Sequence, residues 1–352
     1  MQKIISFLVT VTVFFSSFFG SIGLGKSSKM TDEWKDMVKE NYDEFISEVD
    51  GNEKRIPIIV HTDQHGAIKA NSDLYKCIDE IVDWDKISRI INLGDTVTLI
   101  SNTFELVNYK AATQCLPDEK RIECIGNHDR FFHMTKVGLF LSNEWFNTPV
   151  CEKSPDGRAN TSTDEKFGVR YLSVDTNNFP WLYDYGTVPT SLADYIIAEL
   201  SKTDDTDIVL LSHSYLFNDD MIRRTGDHFT GSENFIGNGE KGRDVKQSFV
   251  EMLSARRNKT AGVFTDSEGV KHPYDFSACK GDFLMSLHGH HHTEGYETKD
   301  GITEFLFQSM TKDNAENTEP NCFYFAYIDT DTQTFKCWKN VVGYDAWEIS
   351  IK

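Results

Sequence analysis

Residues 282–295 read DFLMSLHGHHHTEG and place four histidines in five positions at the end of an apolar run. Imidazole and carboxylate groups bind cations, and other apolar runs in the chain end in the same way. RIPIIVHTDQH ends in Asp63 and His65, RIINLGD in Gly94 and Asp95, and RIECIGNHD in Asn127, His128 and Asp129. DIVLLSHS ends in His213, and the opening run in His290 and His292. Singly, an aspartate after a strand caps a helix more often than it binds a metal, and a lone histidine is more often a satisfied interior group. Five runs that all stop at a cation-binding residue point instead to one pocket assembled from distant parts of the chain. Asp63 and His65, two positions apart, would face one side of an extended segment. The Asp95 carboxylate could bridge two cations through its two oxygens, and Asn127 adds a neutral carbonyl oxygen. Nitrogen and oxygen donors without thiolate suit zinc, iron or manganese.

These residues have to be carried to one place by a scaffold. Short β-rich runs alternate with helical patterns, which predicts a layered α/β domain, and ligand sites of such sheets gather at the carboxyl ends of strands. Helices are expected over 31–50, 71–83, 104–112, 191–201 and 244–255. A C-terminal hairpin is expected in NCFYFAYIDTDTQTFKCWK, and residues 218–243, Gly-rich and charged, are expected to form a long surface loop. The division is a signal peptide over 1–23, an N-terminal helical segment over 24–54, and one domain over 55–352. Lys3 and the apolar stretch Ile4–Phe19, followed by the small residues Ser21 and Gly23, have the pattern of a secretory signal, with an uncleaved anchor as the alternative. The chain is therefore expected to be secreted or lumenal.

Composition sets further bounds. Among 352 residues, 39% are hydrophobic and 12% aromatic, enough for a sizeable core. A net charge of −19 argues against coating nucleic acid or resting on anionic lipid, while leaving room for a small anionic substrate, because metal cations outweigh a distant field. Seven cysteines match no zinc module and read as core residues with one or two disulfides. Asn160 and Asn258 begin glycosylation sequons.

The ordered series Asp63-x-His65, Gly94-Asp95, Gly126-Asn127-His128-Asp129, His213 and Gly289-His290-x-His292 resembles the calcineurin-like metallophosphoesterase superfamily over residues 55–310. The resemblance implies a four-layer αββα sandwich of two mixed sheets flanked by helices. It implies two divalent cations (manganese, iron or zinc), with Asp63, His65 and His292 on the first, Asn127, His213 and His290 on the second, and Asp95 bridging. His128 would protonate the leaving group or contact the phosphoryl group, with Asp129 orienting its imidazole and favouring its protonated form. The reaction implied is hydrolysis of a small-molecule phosphomonoester or phosphodiester by a hydroxide bridging the cations, which would lie about 3.5–4 Å apart. Gly289 would permit the turn that presents His290 and His292. His291 would point away from the metals, and His288 would play a supporting or core role.

The chain departs from the pattern in two places. Purple acid phosphatases carry a tyrosine where Thr98 stands, so a ferric-tyrosinate site is not expected. SYLF after His213 replaces a common small-residue or proline continuation, which bears on the substrate pocket. Arg223, Arg224 and His228 could meet a phosphate or could belong to a solvated loop. Two further function classes stay open at this point: a non-catalytic scaffold of the same fold, and a hydrolase of pyrophosphate bonds in nucleotide derivatives.

Overall fold

The computed structural model describes residues 30–66, 68–97, 103–129, 152–154, 156–177, 187–217, 220–229, 240–310 and 322–352. The expected signal segment 1–23, Thr98 and Cys151 lie outside them.

Two sheets carry the fold. The first has the order β17-β16-β15-β1-β2-β3, in which β1 (Arg55–His61), β2 (Arg89–Asn92) and β3 (Arg121–Glu123) run parallel. Its other half is antiparallel: β15 (Tyr324–Asp329), β16 (Thr334–Lys339) and β17 (Trp347–Ser350). The second sheet has the order β4-β5-β6-β7-β12-β14-β13-β8-β9, with β4 (Glu152–Lys153) and β5 (Ala159–Asp164) toward one edge and β13 (Gly295–Lys299) toward the other. At its centre β6 (Val169–Val174), β7 (Asp207–Ser212), β12 (Phe283–His288) and β14 (Ile302–Leu306) are parallel.

Alternation along these strands decides the layers. Ile56, Ile58 and Val60 of β1 join Val209 and Leu211 of β7 and Met285 and Leu287 of β12 in a core between the sheets. The intervening Ile59 faces outward, onto α1 (Asp32–Val49), α2 (Ile68–Ile81) and α3 (Thr103–Ala112). Ile208 and Leu210 face the other way, onto α4 (Thr190–Leu200) and α5 (Glu240–Asn258). The result is four layers, helices–sheet–sheet–helices, as the sequence led us to expect.

Helix α1 is part of this body. Thr31 caps it by accepting from Trp34 N at 3.1 Å, and Asp32 and Glu33 sit in its first turn, where the helix dipole favours acids. Its apolar stripe buries Phe45 against Phe325 and Trp338, with ring centroids 5.6 Å apart in both pairs.

Three expectations need correction. Residues 218–243 are not one long loop: β8 (Met221–Ile222) and β9 (His228–Phe229) form a small hairpin, and α5 begins at Glu240. The charged, Gly-rich composition hid both. Second, Arg224 is engaged in packing. Its guanidinium binds Glu294 Oε1 (2.5 and 3.0 Å) and Asp345 O, and it lies over the Trp347 ring. Arg223 pairs with Asp227 and His228 with Asp220. Third, Cys77, Cys115, Cys279, Cys322 and Cys337 are free thiols, so a second disulfide is excluded. Cys77 and Cys279 point into different cores. Cys322, Tyr324 and Cys337 all face the core between the sheets. Among the described residues, no helix is long and apolar enough to cross a membrane.

Candidate metal centre

The carboxyl ends of five strands, three from one sheet and two from the other, meet at one edge of the sandwich. Asp63 follows β1, Asp95 follows β2, Asn127 follows β3, His213 follows β7, and His290 and His292 follow β12. Backbone hydrogen bonds lock these loops together. Asp63 N donates to Gly94 O (2.9 Å), His65 N to Asp95 O (3.0 Å), and Gly289 N to His213 O (3.0 Å).

The ligand-type atoms form two groups, joined by a third that shares one residue with each. Asp63 Oδ1 lies 3.1 Å from His292 Nε2 and 3.8 Å from His65 Nε2, and those two nitrogens are 3.0 Å apart. Asp95 Oδ2 lies 3.1 Å from His213 Nε2, which is 3.2 Å from His290 Nδ1. Within each of the sets Asp63–His65–His292, Asp95–His213–His290 and His65–Asp95–His128, one atom per residue falls within 4.8 Å of the others. Asp63, Asp95 and His213 form the buried floor, while His65, His128 and His292 are the more open side.

Each carboxylate divides its oxygens between two tasks. Asp63 Oδ2 accepts from His290 N (2.9 Å) and Thr62 Oγ1 (2.7 Å), leaving Oδ1 toward the imidazoles. Asp95 Oδ1 accepts from His128 N (2.9 Å), and Oδ2 faces His213 and His128. A bridge through both Asp95 oxygens is therefore not what the loop presents; Oδ2 alone points to the imidazoles. His213 Nδ1 donates to Leu93 O (2.9 Å), which turns Nε2 into the site as the lone-pair nitrogen once the ring is neutral.

Convergence comes from backbone that side chains seldom adopt. Asp63 (φ 53°), His65 (44°), Asp95 (53°), His290 (77°) and His292 (55°) are all left-handed, five of the eight such non-glycine residues among those described. The segment 63–65 is thus not extended, and the shared direction of Asp63 and His65 is set by these twists. Such strain persists only where surrounding contacts hold it, and it concentrates at functional sites. Close approach explains two glycines. A Cβ on Gly126 would collide with Asp95 Oδ1, and one on Gly289 with Thr62 Oγ1. Gly289 is needed for space, while the positive φ falls on His290.

Asp129 does not orient His128. Its Oδ1 accepts from Val97 N (3.1 Å) and its Oδ2 from Gly126 N (2.9 Å), so it ties the 126–129 turn to the segment after Asp95. His128 Nδ1 has no hydrogen-bond partner among the described residues, and burial lowers the pKa of the ring. His291 lies with its ring centroid 5.4 Å from Phe229 and 6.0 Å from Tyr215, away from the two ligand groups. His288 is a core residue: Nδ1 donates to Ser212 O (3.1 Å), and burial pushes its pKa down to about 3.

The donor set fits a pair of divalent cations. Asn127 Oδ1 is buried with no hydrogen-bond partner among the described residues, an orphan that a cation would satisfy. The imidazole nitrogens face carboxylate oxygens and one another at contact distance. Burial opposes charge on His213, yet the Asp95 and Asp63 carboxylates outweigh it and lift its pKa to about 9. A metal needs the neutral ring, so below pH 9 cation binding must expel the His213 proton. Titrating the metal-free protein with Zn²⁺ at pH 7.5, in buffers of different ionisation enthalpy, should show proton release that falls off above pH 9. Identical heats in all buffers at pH 7.5 would contradict this.

No family model matches the sequence, and no curated protein does. Solved structures do. A dimetal phosphatase from Danio rerio aligns over 84% of this chain and 99% of its own, at 10% identity and a TM-score of 0.49. A purple acid phosphatase from yellow lupin aligns over 84% and 54%, at 12% identity and 0.46. GAP50, the anchor in the inner membrane complex of Plasmodium, aligns over 85% and 89%, at 10% identity and 0.45.

Proposed function

We propose that this chain is a calcineurin-like metallophosphoesterase that hydrolyses a small-molecule phosphomonoester or phosphodiester with two divalent cations. The observation that carries the reading is the convergence of Asp63, His65, Asp95, His213, His290 and His292 from both sheets, with their ligand atoms in contact and five of them on left-handed backbone flanking the strand ends. Asp63, His65 and His292 would hold one cation, and Asn127, His213 and His290 the other, with Asp95 shared. When bound, such cations neutralise phosphoryl oxygens and acidify water.

The remaining work falls to the protein. Asp63 Oδ2 and Asp95 Oδ1 anchor the loops, and His213 is oriented by Leu93 O. His128, on the more open side with Nε2 3.7 Å from Asp95 Oδ2, would deliver a proton to the leaving oxygen. Export from the cytosol is part of the proposal and rests on Lys3 and the apolar Ile4–Phe19 segment.

The test is hydrolysis of p-nitrophenyl phosphate and bis-p-nitrophenyl phosphate by protein loaded with manganese, zinc or iron. Turnover of at least one ester, abolished by EDTA and restored by metal, is the expected result. Failure to hydrolyse any phosphorylated compound with both sites filled would overturn it.

A further inference from the structure

Asp95 adopts a left-handed backbone conformation, which costs free energy and must be held by something other than the cations it would bind. The side chain of Asn92, three positions earlier and 1% exposed, is placed to do this. Its Oδ1 accepts from Gly94 N (3.1 Å), and its Nδ2 donates to Thr96 Oγ1 (2.9 Å). The amide thus grips the residue on each side of Asp95. It is itself fixed from below. Nδ2 also donates to Glu123 Oε2 (2.9 Å) and approaches Tyr109 Oη (3.1 Å), Tyr109 donates to the same Glu123 oxygen (2.6 Å), and Arg121 grips Glu123 Oε1 with Nε (3.1 Å) and Nη2 (2.7 Å). A buried, fully engaged network of this kind holds its members in one arrangement.

We infer that Asn92 is a positioning residue for Asp95: its amide clasps the turn 94–96 and so fixes the direction in which Asp95 Oδ2 is presented to both cations. The inference rests on the dinuclear reading above. No ligand-type atom of Asn92 belongs to the cation-binding groups, so its effect passes through the turn. Without the clasp, Asp95 is free to relax toward negative φ, which swings the carboxylate away from the shared position. The loss expected is of the shared ligand, and with it the communication between two ions, ahead of loss of fold.

The readout is the low-temperature electron paramagnetic resonance spectrum of the Mn²⁺-loaded chain, in which two ions sharing a carboxylate give an exchange-coupled signal. Wild type is expected to show it. Asn92→Ala should show uncoupled Mn²⁺ and bind its second equivalent about 10–100-fold more weakly, the usual span for a residue that supports a ligand. Thr96→Val, which removes one arm of the clasp without changing volume, should weaken the coupling, and it decides the matter if Asn92→Ala does not fold. Tyr109→Phe disturbs the same buried network without touching residues 94–96 and should keep the coupled signal. A coupled spectrum in folded Asn92→Ala, or an unchanged one in Thr96→Val, overturns the clasp. Loss of coupling in Tyr109→Phe equal to that in Asn92→Ala also overturns it, because the network as a whole would then be responsible. An uncoupled or single-ion wild type overturns the dinuclear reading, and the clasp with it.

Discussion

Replacing Asp95 by alanine is expected to reduce bound metal from two ions per chain to fewer than one and to lower phosphoester turnover by at least ~10³-fold, the upper range for removing one electrostatic stabiliser of a phosphoryl-type transition state. Asp95 belongs to two of the three ligand groups, with Oδ2 3.1 Å from His213 Nε2 and 3.7 Å from His128 Nε2. Burial disfavours its charge, but His213, His128 and His65 hold its pKa well below the ordinary carboxylate range. Deleting it leaves those imidazoles facing one another without a counter-charge, so neither cation position keeps its full set. Asp95→Asn preserves an acceptor for His128 N and separates charge from turn geometry. Elemental analysis of the purified variants is the measurement, and two retained ions with wild-type turnover in Asp95→Ala would remove Asp95 from the site.

His128→Ala should behave in the opposite sense: both ions retained and turnover lowered about 10²–10⁴-fold, the usual weight of general acid catalysis. His128 is at the more open side of the cluster, and its backbone N–H, which alanine keeps, is the group that anchors Asp95 Oδ1. The variant therefore removes the ring without releasing the floor of the site. The loss should be smallest for esters with good leaving groups, which need little protonation. A variant that loses metal along with activity would make His128 a ligand.

The residue types and their places at strand ends were legible because a strand displays its burial pattern in alternation and stops where polar residues begin. That signal located all six residues that the structure brings into the two ligand groups. It could not show how they converge: the positive φ of Asp63, His65 and His290 is imposed by contacts such as His65 N to Asp95 O and His290 N to Asp63 Oδ2, made between segments far apart in the chain. Asp129 misled for a related reason. The resemblance cast it as orienting His128, but both its oxygens are taken by backbone N–H groups of Val97 and Gly126. The strands β5 (Ala159–Asp164), β10 (Ala261–Thr265) and β11 (Lys271–Asp275) carry too little apolar alternation to announce themselves. Nothing in the sequence marks Asn92, since its role depends on Thr96 and on Glu123, a strand away.

The donors come from both sheets: Asp63, His65, Asp95 and Asn127 leave β1, β2 and β3, whereas His213, His290 and His292 leave β7 and β12. Cations gripped by both would act as a rivet through the sandwich. A chain with one sheet formed could offer only part of the donor set, so the complete site requires both faces docked. At a free concentration 100 times the dissociation constant, each ion would add about 2.7 kcal/mol to the resistance of the two halves to separation. Chelation would loosen the seam between the sheets as well as silence the chemistry at its edge.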